Sequence, residues 1–512
     1  MSSPLPADAP LLPRQDWPHD PGSGSHVGAV TQPYPDLCLS LSTVFYLSPV
    51  DAQRGGTWAV PFSSQDTERR NPRGPADGMD DSAPIPGEQQ MVAPAGSIFI
   101  QDSRCWHSTP ANLSDAARLA VVVRYVPGWM SVEFGRNETG YPGANFARIP
   151  RDTWLRMSPP VRELFRHRAE GEADALQPLK LATRAAPQPD GRLTRRQYME
   201  AEGPMALDDS PAVVERLQAE GILAEVKAMA AQLKEEGWAV VREALPPERR
   251  AELRDELQQQ PEPAGVSAAT ATARLLAGAP ALAAALAQPQ VLGVARALLD
   301  SHVRVAAVGC SGSRAEAAEW SCGFPHAAGD ERGWVEAPFP PARMGLSSIW
   351  CLEEQPTALE IAPGSHHRQR PPAPDALDSE SATVRLALEP GTIVLLDSRT
   401  WRRFAPAQQQ RGAVVSVELI PWWISTEFPR GQASGQLRGW GGEPLPLRAW
   451  RALPYESQSL LRHMAMDVDP LDETDNPWHE LKRAETERSV RYGGRDSRTG
   501  DNSHVVLEAP RM

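Results

Sequence analysis

Imidazole, carboxylate and guanidinium groups, rather than thiols, are where this chain could do chemistry. Its five cysteines, Cys38, Cys105, Cys310, Cys322 and Cys351, stand far apart with no Cys-x-x-Cys pair, which suits neither a disulfide framework nor a structural zinc site. Asp16 and His19 occur together in QDWPHD, with Arg14 two residues before the aspartate. His107 closes RCWH, and Arg118 follows it by eleven residues. Side chains alternate along a strand, so Arg14 and Asp16 share a face and are expected to form an internal ion pair. Taken alone, His107 is either a metal donor or a hydrogen-bonded histidine at a barrel rim. Arg118 is either an anion anchor or a surface salt-bridge partner, the latter worth less than about 1 kcal/mol. His366 and His367, in PGSHH, read as loop histidines facing solvent.

The elements that position these groups come twice. LSTVFYL from Leu41 matches LSSIWCL from Leu346, and APAGSIFIQDSRCWHS from Ala93 matches LEPGTIVLLDSRTWRR from Leu388. YVPGWMSVEF ending at Phe134 matches LIPWWISTEF ending at Phe428, and the block from Ile149 to His167 matches the one ending at His463. The blocks are collinear and about three hundred residues apart, which marks an internal repeat. Most are short runs of Val, Ile, Phe and Trp bounded by Gly and Pro, the pattern of strands in a sandwich or barrel. The last block of each copy spaces its apolar residues helically.

The expected fold is therefore mainly β with flanking helices, as two domains in tandem. Residues 1–168 form the first, 169–210 a polar linker, 211–466 the second and 467–512 a polar tail. The second begins with about a hundred Ala-rich residues that read as helices around one strand, GWAVVREAL. The first has nothing comparable, since Met1 lies fifteen residues before Asp16, and it is expected to lack its N-terminal portion.

Composition narrows the partners. With 65 acidic against 52 basic residues the formal charge is -13, which repels phosphate backbones and anionic lipid. No apolar run is long enough to cross a bilayer and no leader pattern opens the chain, so the expectation is a cytoplasmic protein with a small-molecule substrate, without nucleic acid or membrane. The final Pro510-Arg511-Met512 departs from a peroxisomal tripeptide, whose first residue is small. The two copies are expected to pack on each other, because an uncovered first barrel would leave apolar surface open.

QDWPHD, TQPYPDLCL, GGTWAVPFSS, NPRGP and APAGSIFIQDSRCWHS, between Asp16 and Phe134, resemble the phytanoyl-CoA dioxygenase family. EEGWAVVREALPPE, GFPH, IAPGSHH and PGTIVLLDSRTW resemble the same family more faintly. The resemblance implies two double-stranded β-helix (jelly-roll) domains, each with its mouth suited to Fe(II) and 2-oxoglutarate. It implies a metal held by two imidazoles and one carboxylate, with a distal arginine gripping the cosubstrate's far carboxylate. Carried onto the first copy, the ligands are Asp16 and His107, with Arg118 for 2-oxoglutarate. The family's first histidine is replaced by Arg14, and His19 is the candidate substitute. In the second copy Ser321, Gly323 and Arg402 stand at the three ligand positions, and a guanidinium cannot ligate a cation. Two functions follow: an iron- and 2-oxoglutarate-dependent hydroxylase of an unknown small molecule at the first copy, or a catalytically inactive pseudoenzyme or binding scaffold.

Overall fold

A computed structural model describes residues 37–65, 85–127, 149–165, 221–261, 268–299, 303–310, 338–352, 357–370, 383–404, 414–421 and 445–464, with the separate positions 16, 130, 218, 266, 320–323, 335, 377, 423 and 424. Arg14, His19 and the segments expected to be linker and tail, 169–210 and 467–512, lie outside the described residues.

Six strands come first: β1 (Leu41–Tyr46), β2 (Trp58–Ala59), β3 (Gln89–Gln90), β4 (Ile98–Asp102), β5 (His107–Ser108) and β6 (Ala120–Tyr125). They form two antiparallel sheets, β4–β1–β6 and β3–β2–β5. Helices α1 (Arg151–Arg156) and α2 (Pro159–Leu164) follow. The second set opens with α3 (Leu223–Glu235), β7 (Trp238–Val241), α4 (Pro247–Gln258), α5 (Ala268–Gly278), α6 (Pro280–Ala285), α7 (Pro289–Leu298) and β8 (Val303–Cys310). Then come β9 (Leu346–Cys351), β10 (Thr357–Ile361), β11 (Val384–Leu388), β12 (Ile393–Asp397), β13 (Arg402–Phe404), β14 (Val414–Pro421), α8 (Leu447–Arg451) and α9 (Tyr455–Leu461). Its sheets are β7–β12–β9–β14–β8 and β11–β10–β13.

The two sets share one topology. The order β4–β1–β6 is repeated as β12–β9–β14, and β3–β2–β5 as β11–β10–β13. Register repeats as well: Leu41 faces Asp102 and Tyr125 across its two neighbours, as Leu346 faces Asp397 and Leu419. The larger sheet is the shared three strands extended by β7 and β8 at its two edges. The architecture is mainly β, of jelly-roll type, with helices at the flanks.

Strand alternation assigns each face of the five-stranded sheet. Ile349, Val394, Leu396 and Val414 point inward and pack on Leu359, Ile361 and Leu388 of the smaller sheet. Leu346, Trp350, Ile393, Leu395, Val415 and Leu419 point outward into the largest apolar cluster, together with Leu233, Leu253, Leu276, Leu282 and Val294 of the helices. That layer is why β9, β12 and β14 read as continuous apolar runs rather than alternating ones. Leu395 is fully buried there, and Leu395→Ala is expected to cost about 2–5 kcal/mol in transfer and cavity terms. Urea unfolding measures it; a loss under about 1 kcal/mol would show that the helical layer is not packed on the sheet.

Each copy also carries an Asp-Ser-Arg turn after its inner strand. Asp102 pairs with Arg104 at 2.8 Å, and Asp397 pairs with Arg399 at 3.1 Å and Arg343 at 2.7 Å. Burial opposes ionisation of Asp397, but the two guanidinium groups outweigh it and hold the carboxyl well below the usual carboxylate range. Between the sets, Met130 bridges Ile424. Leu39 and Met130 share a cluster with Phe339, Met344, Ile420 and Trp423.

One expectation needs correcting. His366 is fully buried rather than solvent-facing, because its turn tucks under the end of α3 and its Nε2 lies 3.3 Å from the Lys234 carbonyl. Desolvation there lowers its pKa below the ordinary histidine value. No helix among the described residues is long and apolar enough to cross a membrane.

Candidate functional site

The first pocket forms where Asp16 meets the inner face of β4–β1–β6. The Asp16 amide donates to the Ser103 carbonyl at 2.9 Å, which fixes the carboxylate against three inward side chains. Ser42, Gln101 and Arg124 sit in register on β1, β4 and β6. The Ser42 hydroxyl donates to Asp16 Oδ2, and Gln101 Nε2 donates to the same oxygen at 3.4 Å. Arg124 Nη2 donates to Asp16 Oδ1 at 2.6 Å. His107, at the start of β5, presents Nε2 to that oxygen at 3.6 Å. Asp16 is 4% exposed and His107 is 6% exposed, so both are shielded from water.

The structure thus brings Asp16 and His107 together. His107 Nδ1 lies 3.0 Å from the Cys105 carbonyl. A neutral ring donating there turns its Nε2 lone pair toward Asp16, the orientation that second-shell carbonyls give metal-bound histidines. Arg118 sits apart, on the chain leading into β6. Its Nη1 donates to the carbonyls of Gly55 and of Pro110, the latter at 2.9 Å. Gly55 has a left-handed φ of 70° and lies so close that a β-carbon would meet the Arg118 guanidinium, so this contact requires glycine. Partial burial lowers the Arg118 pKa, offset in part by the nearby Tyr46. No carboxylate among the described residues pairs with it.

The second pocket has the same frame with its charges transposed. The Gly323 amide donates to the Ser398 carbonyl at 2.7 Å, as the Asp16 amide does to Ser103. Ser347 occupies the place of Ser42, Glu418 that of Arg124, and Arg402 that of His107. Glu418 Oε1 pairs with Arg402 Nη2 at 3.1 Å, and Oε2 accepts from the Ser347 hydroxyl at 2.5 Å. A β-carbon on Gly323 would come within 2.8 Å of Glu418 Oε2 and 3.4 Å of Arg402 Nη1. The glutamate therefore fills the space that Asp16 fills in the first copy, and a longer residue at 323 has no room. Burial raises the Glu418 pKa, although Arg402 and Ser347 both pull it down.

Arg124, Ser42, Glu418 and Ser347 were missed by motif reading. A signal for them existed, because the repeat aligns AVVVRYVPGW with VVSVELIPWW and so sets Arg124 opposite Glu418. The expected Arg14–Asp16 pair cannot be placed, since Arg14 lies outside the described residues. A guanidinium does reach Asp16, but it comes from β6. Among the described residues no group of three His, Cys, Asp or Glu is positioned for one metal ion. The described residues alone, two donors with a guanidinium on the shared oxygen, do not make up an iron site of two imidazoles and one carboxylate.

The first copy is a jelly-roll with a carboxylate and an imidazole converging at its mouth. A model of the phytanoyl-CoA dioxygenase (PhyH) family matches residues 9–120. No curated protein matches the chain. Among solved structures, the epimerase SnoN from nogalamycin biosynthesis is 18% identical with a TM-score of 0.29, over 42% of this chain and 91% of its own. EctD from S. alaskensis in its apoform is 20% identical with a TM-score of 0.30, over 40% of this chain and 80% of its own. The same EctD with bound Fe is 19% identical with a TM-score of 0.31, over 40% and 79%.

Proposed function

We propose that this chain is a dioxygenase-like protein whose two ancestral metal pockets are now held by carboxylate–guanidinium pairs, so that it binds small molecules without iron-dependent oxidation. The observation that carries this is the 2.6 Å bond from Arg124 to the oxygen of Asp16 that faces His107. It is supported by the Glu418–Arg402 pair at the equivalent place. A fixed cation on the ligand oxygen competes directly with a metal ion. Arg118, without a described acidic partner, remains to bind a small carboxylate anion of the 2-oxoglutarate type. We assign residues 1–168 and 211–466 to the two copies, and the cluster of Leu39 and Met130 with Ile420 and Trp423 supports their packing as one unit.

A second reading rests on a different observation. His107 Nε2 and Asp16 Oδ1 are 3.6 Å apart, near the separation of two ligand atoms on one ion. With His19 as the third ligand, Fe(II) and 2-oxoglutarate would make the first copy a hydroxylase of a small molecule. Anaerobic reconstitution with Fe(II) and 2-oxoglutarate separates the two. The expected result is less than about 0.1 iron per chain after desalting, with no succinate formed on admitting oxygen. One tightly held iron per chain, with succinate production, would establish the second reading and remove the first.

A further inference from the structure

Among the described residues, the outer face of β4–β1–β6 is uncovered where its counterpart is the centre of the core. By register, Leu41, Phe45, Ile98, Ile100, Val121 and Tyr125 occupy the positions of Leu346, Trp350, Ile393, Leu395, Val415 and Leu419. The second six are at most 1% exposed, under the helical layer. In the first set Leu41 is 41% exposed, Ile98 54%, Ile100 60%, Val121 47% and Tyr125 40%. Among the described residues, neither β4 nor β6 gains the additional edge strand that β7 and β8 give the larger sheet.

We infer that this face is a dimerisation surface, taken by the same face of a second copy of this chain. Half-exposed side chains of this number present on the order of 600 Å² of apolar surface, the upper end of what a monomer leaves open. Two such faces bury about 1,200 Å² together, the lower bound of a stable specific interface. Amphipathic sheets pack face to face at about 10 Å, and a two-fold axis needs no surface other than this one. Electrostatics permit it despite the net charge: Asp102 is the charged residue on this face, and its carboxylate is engaged by Arg104. Among the described residues a helical cover like that of the larger sheet is not at hand, because α3, α5, α6 and α7 already contribute to the core on that sheet. This inference is independent of whether either pocket holds iron.

Light scattering on the full chain during gel filtration at about 10 μM tests it. The wild type is expected to be a dimer. Ile98→Lys with Ile100→Lys is expected to weaken the dimer at least 100-fold and elute as a monomer, with circular dichroism unchanged and a melting midpoint that no longer depends on protein concentration. Leu155→Lys, at an exposed site on α1, is expected to stay dimeric. A monomeric wild type would overturn the proposal and indicate that residues 169–210 or a different protein cover the face. A dimer that persists in the double variant would overturn it too, by placing the interface elsewhere. Should the double variant melt early, Tyr125→Asp at the sheet's edge gives the same readout with one change.

Discussion

Replacing Arg402 by methionine is expected to destabilise the second copy by about 3–5 kcal/mol at neutral pH, the cost of stranding one partner of a buried pair. Glu418 sits on β14 at 9% exposure, and Arg402 and the Ser347 hydroxyl are the partners of its carboxylate. Removing the guanidinium leaves a buried anion with one neutral donor. Substituting both ends, Arg402→Met with Glu418→Leu, should return stability to within about 1 kcal/mol of wild type, since an apolar pair of similar volume has no charge to desolvate. The pH dependence has a definite sign. Burial already raises the Glu418 pKa in the folded protein, so the ionised group opposes folding. That penalty is absent below the ordinary glutamate value and grows as pH rises through the folded value. Loss of Arg402 moves the folded value further up, so the deficit of Arg402→Met should shrink as pH is lowered from 7 to 5. Asp397 works in the opposite direction: its carboxyl is held below the usual range, so its contribution is intact at both pH values and is lost only under stronger acid. Urea titrations of the three proteins at both pH values measure this. A deficit equal at pH 5 and pH 7 would mean that the variant fails through packing, not through the stranded carboxylate.

Much of the fold was legible because strand and repeat signals are local. The Leu41 and Leu346 blocks, and the Asp-Ser-Arg turns that end β4 and β12, repeat in sequence order and occupy equivalent places in the sheets. Burial was less legible. LSTVFY and LSSIWC look alike as sequences, yet Leu41 is 41% exposed and Leu346 is fully buried, because the difference lies in helices that cover only one sheet. His366 shows the same limit, since its turn reads as a surface loop until α3 is packed above it. In the pocket, Asp16 and His107 were found through the family resemblance, but Arg124 was not. It lies 108 residues from Asp16 along the chain, and only register across β1 brings Gln101, Ser42 and Arg124 into one row. An ion pair on Asp16 from Arg14, whose place lies outside the described residues, could be expected from alternation, whereas the pair from Arg124 could not, because cross-strand pairing is not visible in sequence.

The larger consequence of that row is a metal site that two substitutions should open. Ligand bonds of about 2 Å oblige two ligands of one ion to lie roughly 3 Å apart, and His107 Nε2 stands 3.6 Å from Asp16 Oδ1. These two donors need only a small adjustment, but Arg124 occupies the same oxygen at 2.6 Å. Arg124→Gln removes the cation and keeps a polar group of similar reach. Arg14→His adds an imidazole two residues before Asp16 in the sequence, restoring the His-x-Asp spacing that the family resemblance implies. The double variant is expected to bind Co(II) at least 100-fold more tightly than wild type, as first-row ions favour a site with two imidazoles and a carboxylate. Visible absorption of Co(II) reports on the ligand set, and calorimetry gives the affinity. Arg124→Gln alone should fall between the two, with two donors and no competing charge. His107→Ala in the double-variant background should return affinity to the wild-type level, which distinguishes this site from adventitious surface binding. If wild type binds Co(II) as tightly as the double variant, Arg124 is no barrier: a metal ion displaces it from Asp16 at no measurable cost, and the pseudoenzyme reading falls with it.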